Sequence, residues 1–429
     1  MILNKSTKEW SKIRICNPDE LALLDLGNQE KLIEKLNRSN IVKINEFKTY
    51  VEIETFAYVG RLQVGNLEIT INPKIDNLPF LQLIDYTFDL NIIQHFPETH
   101  QSLGAAGFIE LLLFGLSIEI ERIIKRGLFK QYISINENMN SIKGRIDFNR
   151  LIKTTSSLSS NLPCSYFNRI ENNLLNQILL AGGLYAQSLS RNNYIRNNYL
   201  KNLSLIQKDI QKTDLNNQII RSASSQLNRL NNNYDRALKL INLVYNSSGI
   251  LFDDSDEQII LDGFLFNMNS FFQRLITKFL CESLIGYIIQ SEKNIPNFYR
   301  YLPDYNPKKK QNPLPRPDIM LKKKDTTVIF IDTKYIDLWD KKIPSYILYQ
   351  LSIYVLSLNE PLSKAIILYP TISDEASDSI IEIINPINAL IKSYVIIRPV
   401  KILTLLKLIT DNNSKERIEY AKCLVDVSF

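Results

Sequence analysis

Two aspartates and a lysine, Asp318, Asp332 and Lys334, are the residues of this chain best suited to chemistry. Asp318 opens one apolar segment and Asp332 closes the next. If the segments pair as antiparallel strands, both carboxylates meet at one end of the ribbon. Asp332 and Lys334 are two apart, so their side chains share a face of the strand, while Thr333 is expected to point to the other face. Two converging aspartates form a hard oxygen site of the kind that Mg²⁺ or Mn²⁺ prefers.

Such a site indicates metal-dependent cleavage of a phosphodiester, with Mg²⁺ as the cofactor and Mn²⁺ as a possible substitute. A cation held by Asp318 and Asp332 would polarise the phosphate and lower the pKa of a water molecule. Lys334 would orient that water and neutralise the charge that builds up on the phosphate. The alternative for the Asp-Thr-Lys triplet taken alone is an ordinary ion pair at an exposed strand end, because such triplets are common.

The elements that must position these residues form the last part of the chain. Apolar spacing predicts helices over 268–289 and 345–358, and strands near 298–301, 318–321, 328–334 and 364–368. On the second helix Gln350 and Tyr354 are four apart and so share one face, although Tyr354 could equally be a core-edge residue. The order Pro-Asp strand, Asp-x-Lys strand and Gln-x-x-x-Tyr helix resembles that of PD-(D/E)xK nucleases, in particular their RecB-like branch.

That resemblance implies a restriction-endonuclease-like fold for the C-terminal domain. It implies a catalytic role for Gln350 beside Asp318, Asp332 and Lys334. It also implies that Tyr354 and Arg316 bind DNA or support the site.

The whole chain is predicted to be a multi-domain α/β protein. Its 429 residues exceed one ordinary core. Period-two alternation in 41–44, 49–56 and 67–71 predicts a β-rich N-terminal domain over 1–105. A helical pattern from 107 to 128, closed by Gly127, opens a mainly helical middle domain over 106–255 that carries a β-hairpin near 131–148. The nuclease domain would span 256–429.

Composition excludes several classes of function. The chain has two histidines, His95 and His100, so a catalytic site based on histidine is not expected. Its four cysteines form no CxxC, so neither a disulfide framework nor a zinc site is indicated and a cytoplasmic location is expected. The most apolar stretch, 108–120, is short and contains two glutamates, so no membrane segment is expected. No G-x-x-x-x-G-K-[ST] occurs, so the chain is not expected to bind or hydrolyse a nucleotide itself.

The net charge of +6 is modest, but three lysine runs crowd the stretch 308–342. Such a patch near a cleft attracts phosphates, although solvated loops explain the runs as well.

Further blocks resemble the McrC-type nuclease subunits of McrBC modification-dependent restriction systems. They are Ile69-Thr70-Ile71-Asn72-Pro73-Lys74-Ile75, Arg126-Gly127-Leu128 with Tyr132, Ile142-Lys143-Gly144-Arg145-Ile146-Asp147-Phe148, Leu162-Pro163-Cys164 with Glu171-Asn172, and Leu314-Pro315-Arg316 through Tyr335. The resemblance runs from about residue 58 to about residue 370. The Lys-Gly-Arg and Asp-Thr-Lys-Tyr blocks are its most specific parts.

The resemblance implies a division of labour. A separate McrB-like AAA+ GTPase would recognise modified double-stranded DNA and translocate it, while this chain docks on the partner's ring, stimulates GTP hydrolysis and cleaves. Lys143 and Arg145 are the candidates for contact with that partner. A basic hairpin that merely packs, or that touches the DNA backbone, explains them equally well.

The chain departs from the family pattern at one position. The helix that opens the nuclease domain carries Gln273 where the resemblance implies a metal-binding glutamate. Glu282, nine residues later, is about half a turn out of phase at roughly 100° per residue and is not expected to replace it. Gln273 would weaken metal binding or leave the site with one ion, and it is the sequence feature that favours one alternative, a non-catalytic activator of a ring NTPase. A free-standing RecB-like nuclease is a further alternative.

Overall fold

The computed structural model describes residues 2–75, 77–91, 107–154, 161–247, 263–296, 298–323, 328–358, 363–411 and 413–428. They divide into two compact units: residues 1–88 with 265–429 form the first, and residues 89–264 form the second. The expected mixed α/β class is confirmed. The predicted domain boundaries near 105 and 255 lie outside the described residues, so the division into three domains stays a prediction. Both histidines also lie outside the described residues.

The N-terminal part of the first unit contains small sheets and short helices. Its elements are β1 (Leu3–Lys8), β2 (Lys12–Ile15), α1 (Pro18–Leu23), α2 (Glu30–Arg38), β3 (Val42–Glu46), β4 (Val51–Thr55), β5 (Tyr58–Val64), β6 (Leu67–Asn72) and α3 (Asn77–Phe88). The alternating segments of the sequence coincide with β3, β4 and β6, which confirms those predictions. β1 lies parallel to β6, β5 lies antiparallel to β6, and β2 and β3 flank β4.

The turn between β5 and β6 requires glycine. Gly65 adopts φ +59°, a left-handed conformation. A Cβ at this position would lie 2.5 Å from the backbone oxygen of Asp25. The hairpin of β5 and β6 is therefore fixed by its turn residue.

The second unit is a helical cluster with a separate three-stranded sheet. Its elements are α4 (Phe108–Arg126), β7 (Gln131–Met139), β8 (Arg145–Ile146), α5 (Phe148–Thr154), β9 (Leu162–Ile170), α6 (Leu174–Leu189), α7 (Asn193–Ile206), α8 (Asn217–Ser225) and α9 (Asp235–Ser247). α4, α6, α7 and α9 pack on one another. Gly127 ends α4 as predicted. Asn173, Asn192 and Asn216 cap α6, α7 and α8, so these asparagines start helices rather than weaken them.

The C-terminal part of the first unit is built on a six-stranded sheet. Its elements are β10 (Gly263–Asn267), α10 (Met268–Ser283), β11 (Tyr287–Ser291), β12 (Ile319–Lys323), β13 (Val328–Thr333), α11 (Ser345–Leu356), β14 (Ser363–Thr371), β15 (Ser379–Ile384), β16 (Ile391–Lys401), α12 (Ile402–Thr410) and α13 (Ser414–Val425). β10 joins the N-terminal sheet beside β5, whereas the other strands follow the order β11-β12-β13-β14-β16-β15. β13, β14 and β16 are parallel, and the remaining pairs are antiparallel.

Two predictions in this part were wrong, the end of the first helix and the existence of one strand. The first helix ends at Ser283 instead of 289, because Gly286 has φ +86° and the chain then starts β11. The strand predicted near 298–301 does not form in the described residues 298–301. β11, which continues the apolar run of the predicted helix, takes that place in the sheet.

Helices from the same unit cover the sheet. α11 packs against β13, β14 and β16, burying Phe330, Leu351 and Ile367 in one core, while α10 packs on β11 and β13. Apolar residues in the central strands, which are covered by helices, form a continuous run, as expected for parallel strands. No helix among the described ranges has the length and hydropathy needed to cross a membrane.

Candidate active site

The pairing of β12 with β13 brings the two aspartates to the same end of the ribbon. Ile319 lies opposite Ile331 in this antiparallel pair, so Asp318, directly before β12, is level with Asp332, one residue further along β13. The predicted antiparallel pair is thus confirmed. Asp318 also raises the pKa of Asp332, which shows that the two carboxylates interact.

Asp332 is a buried carboxylate paired with Lys334. It is 3% exposed, and the Lys334 ammonium donates a hydrogen bond to Asp332 Oδ1 at 3.1 Å and lies 3.0 Å from Oδ2. Burial raises the pKa of Asp332, Lys334 lowers it in part, and Asp318 raises it further. Burial by itself lowers the pKa of Lys334, but the two aspartates outweigh this effect and the net shift is upward. Lys334 is therefore a stable cation.

Asp318 is held by Thr333 rather than by a lysine. The backbone N–H and the hydroxyl of Thr333 each donate to Asp318 Oδ2 at 2.8 Å. Thr333 was predicted on the strand face opposite Asp332 and Lys334; its contact is with Asp318, which directly precedes β12 and reaches the end of β13. Both bonds go to the same oxygen of Asp318, Oδ2.

The pair of carboxylates fits a divalent cation. Asp332 Oδ2 is buried and accepts no hydrogen bond within the described residues, despite the nearby ammonium. The Lys334 ammonium, 3.0 Å away, offsets part of the cost of burying this charge, and a divalent cation would offset more of it. In the parts of the chain that the structure describes, no group of three His, Cys, Asp or Glu residues could hold a metal. Two carboxylates suit Mg²⁺, which usually retains several waters and needs few protein ligands.

The two residues predicted on α11 lie in different surroundings. Tyr354 is buried, and its ring packs on Phe330 at 5.3 Å and Phe298 at 5.9 Å. Of the roles expected for Tyr354, only support of the site by packing fits. Gln350 is half-buried, and no hydrogen bond joins it to either aspartate within the described part of the chain. Since Phe330 faces α11, alternation puts Asp332 on the α11 side of the sheet as well.

A glutamate that sequence reasoning missed lies at the edge of this site. The backbone N–H of Glu292, directly after β11, donates to the carbonyl oxygen of Asp318 at 3.0 Å. The side chains of Gln273 and Arg316 each approach Glu292 Oε1 at 3.5 Å, at the limit of hydrogen bonding. Glu292 could not be found in the sequence because the strand before it was predicted as helix.

Glu282 lies elsewhere, as its helical phase predicted. Its carboxylate accepts hydrogen bonds from the Tyr86 hydroxyl at 2.5 Å and from the Arg417 guanidinium at 2.8 Å. These contacts join α10 to α3 and α13. Glu282 therefore has a structural role.

The basic pair of the second unit lies on its small sheet, in which β9 is flanked by β7 and β8. Arg145 is exposed on β8. The Lys143 ammonium lies 4.0 Å from the centre of the Tyr166 ring. Gly144 between them has φ +73°, and a Cβ there would meet the backbone oxygen of Ser165 at 2.5 Å. The Lys-Gly-Arg block is thus a tight turn held against β9.

Known proteins similar to this chain were found by family model and by structure. The model of the family described as McrBC 5-methylcytosine restriction system component matches residues 53–370, more than half of the chain. No curated protein matches significantly.

Two solved structures are similar in fold. One is a chain of the refined half-complex from a tetradecameric assembly of Thermococcus gammatolerans McrB AAA+ hexamers with bound McrC. Its TM-score is 0.64 at 17% identity, over 96% of this chain and 100% of that chain. The other is a chain of the Thermococcus gammatolerans McrBC complex solved by cryo-EM, with a TM-score of 0.49 at 18% identity, over 67% of this chain and 89% of that chain.

Proposed function

The chain belongs to the family of McrBC 5-methylcytosine restriction system components, and on that premise we propose that it is the endonuclease subunit of a GTP-driven, modification-dependent restriction complex. Its substrate is double-stranded, modified DNA, and its reaction is hydrolysis of a phosphodiester bond. The observation that carries the proposal is the meeting of Asp318 and Asp332 at one end of the β12–β13 pair, with Lys334 against Asp332. The C-terminal domain is, in this proposal, a PD-(D/E)xK nuclease domain.

Each residue of the site has a proposed role in this reaction. Asp318 and Asp332 would hold Mg²⁺, or Mn²⁺ in its place, which supplies Lewis acidity toward the phosphate and a lower pKa for water. Lys334, kept charged by its two aspartates, neutralises charge on the phosphate and orients the attacking water. Gln350 is proposed as a further catalytic group on α11. Arg316, exposed at the start of the Pro-Asp strand, is suited to a DNA phosphate, and Gln273 supports Glu292.

The sheet of the second unit is the proposed contact with a McrB-like AAA+ GTPase. Large apolar side chains are exposed in and around β7, β8 and β9; they are Tyr132, Ile133, Ile142, Phe148 and Phe167. Exposed apolar patches of this kind mark interaction surfaces. Lys143 and Arg145 at the turn add positive charge to that surface. The proposed complex stimulates GTP hydrolysis on the partner, while this chain itself binds no nucleotide.

The decisive experiment separates cleavage from partner activation. With partner, GTP and Mg²⁺, the wild-type chain is expected to cut methylated duplex DNA. Asp332→Ala should reduce cutting by more than about 10³-fold, because the buried cation site is lost, yet should leave GTPase stimulation intact. Asp374→Ala, which removes an exposed carboxylate just beyond β14, serves as the matched control and should cut normally.

Three results would contradict the proposal. Equal cleavage by Asp332→Ala would remove the proposed catalytic centre. Full GTPase stimulation without any metal-dependent cleavage would make the chain a non-catalytic activator. Equally fast cleavage by the chain alone would make it a free-standing nuclease.

A further inference from the structure

Tyr335 directly follows the candidate catalytic lysine and is bound by a residue from the opposite end of the chain. Its hydroxyl donates a 2.8 Å hydrogen bond to Glu9 Oε1, although 326 positions separate the two residues. Glu9 is 1% exposed and Tyr335 is 7% exposed, so the bond is screened from water. Tyr335 also belongs to the Asp-Thr-Lys-Tyr block, and it has no role in the reaction proposed above.

Glu9 is itself fixed by the N-terminal sheet. Its backbone N–H donates to the carbonyl of Asn72 at 3.0 Å, and its Oε1 accepts from the backbone N–H of Lys74 at 2.9 Å. Both partners lie at the end of β6 or just beyond it. The carboxylate is therefore a rigid acceptor rather than a mobile side chain.

Apart from Glu9, Tyr335 lies beside an aromatic ring and a cavity. One side of its ring packs edge-on against Phe272 of α10, at 6.0 Å between ring centres. Another side borders a cavity of about 240 Å³ that Trp10 and Lys74 also line. The hydrogen bond to Glu9 is a directional contact that holds the tyrosine hydroxyl against the N-terminal sheet. The other carboxylate oxygen of Glu9, Oε2, is buried and accepts no hydrogen bond within the described residues. Burying this oxygen without a donor lowers the stability of the folded protein.

We propose that Glu9 is a positioning residue for the candidate active site: through Tyr335 it fixes the chain just beyond Lys334 and thereby sets the end of β13 that carries Asp332 and Lys334. The backbone between these residues is well bonded. The Lys334 N–H donates to the carbonyl of Leu368 at 3.0 Å, next to the bond from the Thr333 N–H to Asp318. A shift of Tyr335 would disturb both bonds. The effect of losing this hydrogen bond on turnover rests on the proposed nuclease function, whereas its effect on the backbone at the end of β13 does not.

The test combines hydrogen exchange with turnover in the complete chain. Tyr335→Phe keeps the ring contact with Phe272 and removes only the hydroxyl. Amide exchange in residues 332–335, followed by mass spectrometry, should become about tenfold faster, in keeping with the loss of one buried hydrogen bond. In the complex with partner, GTP and Mg²⁺, kcat should fall about tenfold with KM unchanged, because the lost interaction positions the reacting groups. Glu9→Ala should behave as Tyr335→Phe does, whereas Glu9→Gln, which retains an acceptor, should stay near wild type.

Tyr420→Phe is the matched control. Tyr420 lies in the same unit, its ring packs edge-on against Phe279 of α10 at 6.1 Å, and its hydroxyl accepts a 3.1 Å hydrogen bond from the backbone N–H of Lys401. Its removal should leave exchange in 332–335 and turnover unchanged.

Unchanged exchange at 332–335 in Tyr335→Phe would overturn the proposal. So would equal acceleration in Tyr420→Phe, which would show a general loss of stability. If the wild-type complex cut no DNA, the proposed function would fail, and the exchange comparison would still decide whether Glu9 positions the strand end.

Discussion

At the scale of single residues, the candidate centre combines the ammonium group of Lys334 with the carboxylates of Asp318 and Asp332. Lys334 contacts both oxygens of Asp332, and Thr333 satisfies one oxygen of Asp318. The lysine therefore has two effects that oppose each other: it stabilises buried Asp332 in its charged form, and it competes with a metal cation for the same oxygens.

These two effects can be separated with Lys334→Met, which keeps the apolar stem. Cleavage by the complex should fall about 10²- to 10³-fold because the charge that stabilises the phosphate is lost. Mn²⁺ binding to the isolated chain at pH 8, measured by titration calorimetry, should become tighter because the competing ammonium is gone.

Lys392→Met, which removes an exposed lysine from β16, a strand separated from β13 by β14, should change neither quantity. Weaker Mn²⁺ binding by Lys334→Met would show that Lys334 does not compete with the metal.

Gln273, which lies beside Glu292 at the edge of the candidate site, shows that the role of a residue depends on its contacts. The family resemblance implies a glutamate at this position. In the structure the amide of Gln273 faces the carboxylate of Glu292, where a second carboxylate would be repelled. The amide at 273 is thus explained by Glu292, whose own backbone is bonded to Asp318.

At the scale of elements, the turn between β7 and β8 is a tightly constrained feature of the second unit. Gly144 combines a left-handed φ with a backbone oxygen 2.5 Å from where a Cβ would be. Gly144→Ala should therefore lower the free energy of unfolding of this sheet by about 2 kcal/mol or more. Because the sheet is the proposed partner surface, stimulation of the partner's GTPase should fall with it. Circular dichroism during urea unfolding and a GTPase assay measure the two effects.

Gly107→Ala provides the matched control within the same unit. Gly107 precedes α4 with φ −60°, and a Cβ there would meet no atom of the described residues within 4 Å. This variant should unfold and stimulate as the wild type does. If Gly144→Ala were folded normally and still failed to stimulate, the turn itself would be the contact; if it stimulated fully despite a disordered sheet, the proposed surface would be wrong.

At the scale of the whole molecule, a buried acid makes stability depend on pH. Burial raises the pKa of Glu9 from 4.5 to about 7, against the smaller lowering effects of Lys74 and Tyr335. Between these values the folded state binds more protons than the unfolded state, so stability falls as the pH rises from about 4.5 to about 7 and then levels off. The loss should approach about 3 kcal/mol.

Urea midpoints at pH 5 and pH 8 measure this loss. Glu9→Gln, which cannot ionise, should remove most of the decrease. Glu46→Gln, a change at an exposed glutamate of β3, should retain it. A decrease of the same size in Glu9→Gln and in wild type would assign the pH dependence to other groups.

The sequence by itself determined the candidate centre and the strands around it. Asp318, Asp332 and Lys334 could be predicted because alternation along two adjacent apolar segments fixes which side chains share a face and which strand ends meet. The helix end at Gly127 was predicted from an equally local signal, since few residues besides glycine adopt its conformation. Family resemblance, supported by the match over 53–370, added the restriction system.

Only the tertiary structure decided which distant residues meet. Helical and strand patterns are ambiguous in short apolar runs, and so β11 was predicted as helix and Glu292 was missed. The bond between Glu9 and Tyr335 has no local signal, because nothing in either segment specifies the other. Burial likewise assigned Tyr354 to the core, since the apolar surface that packs on it comes from other elements. Side-chain periodicity acts over a few residues, whereas desolvation and long-range hydrogen bonds depend on the complete fold.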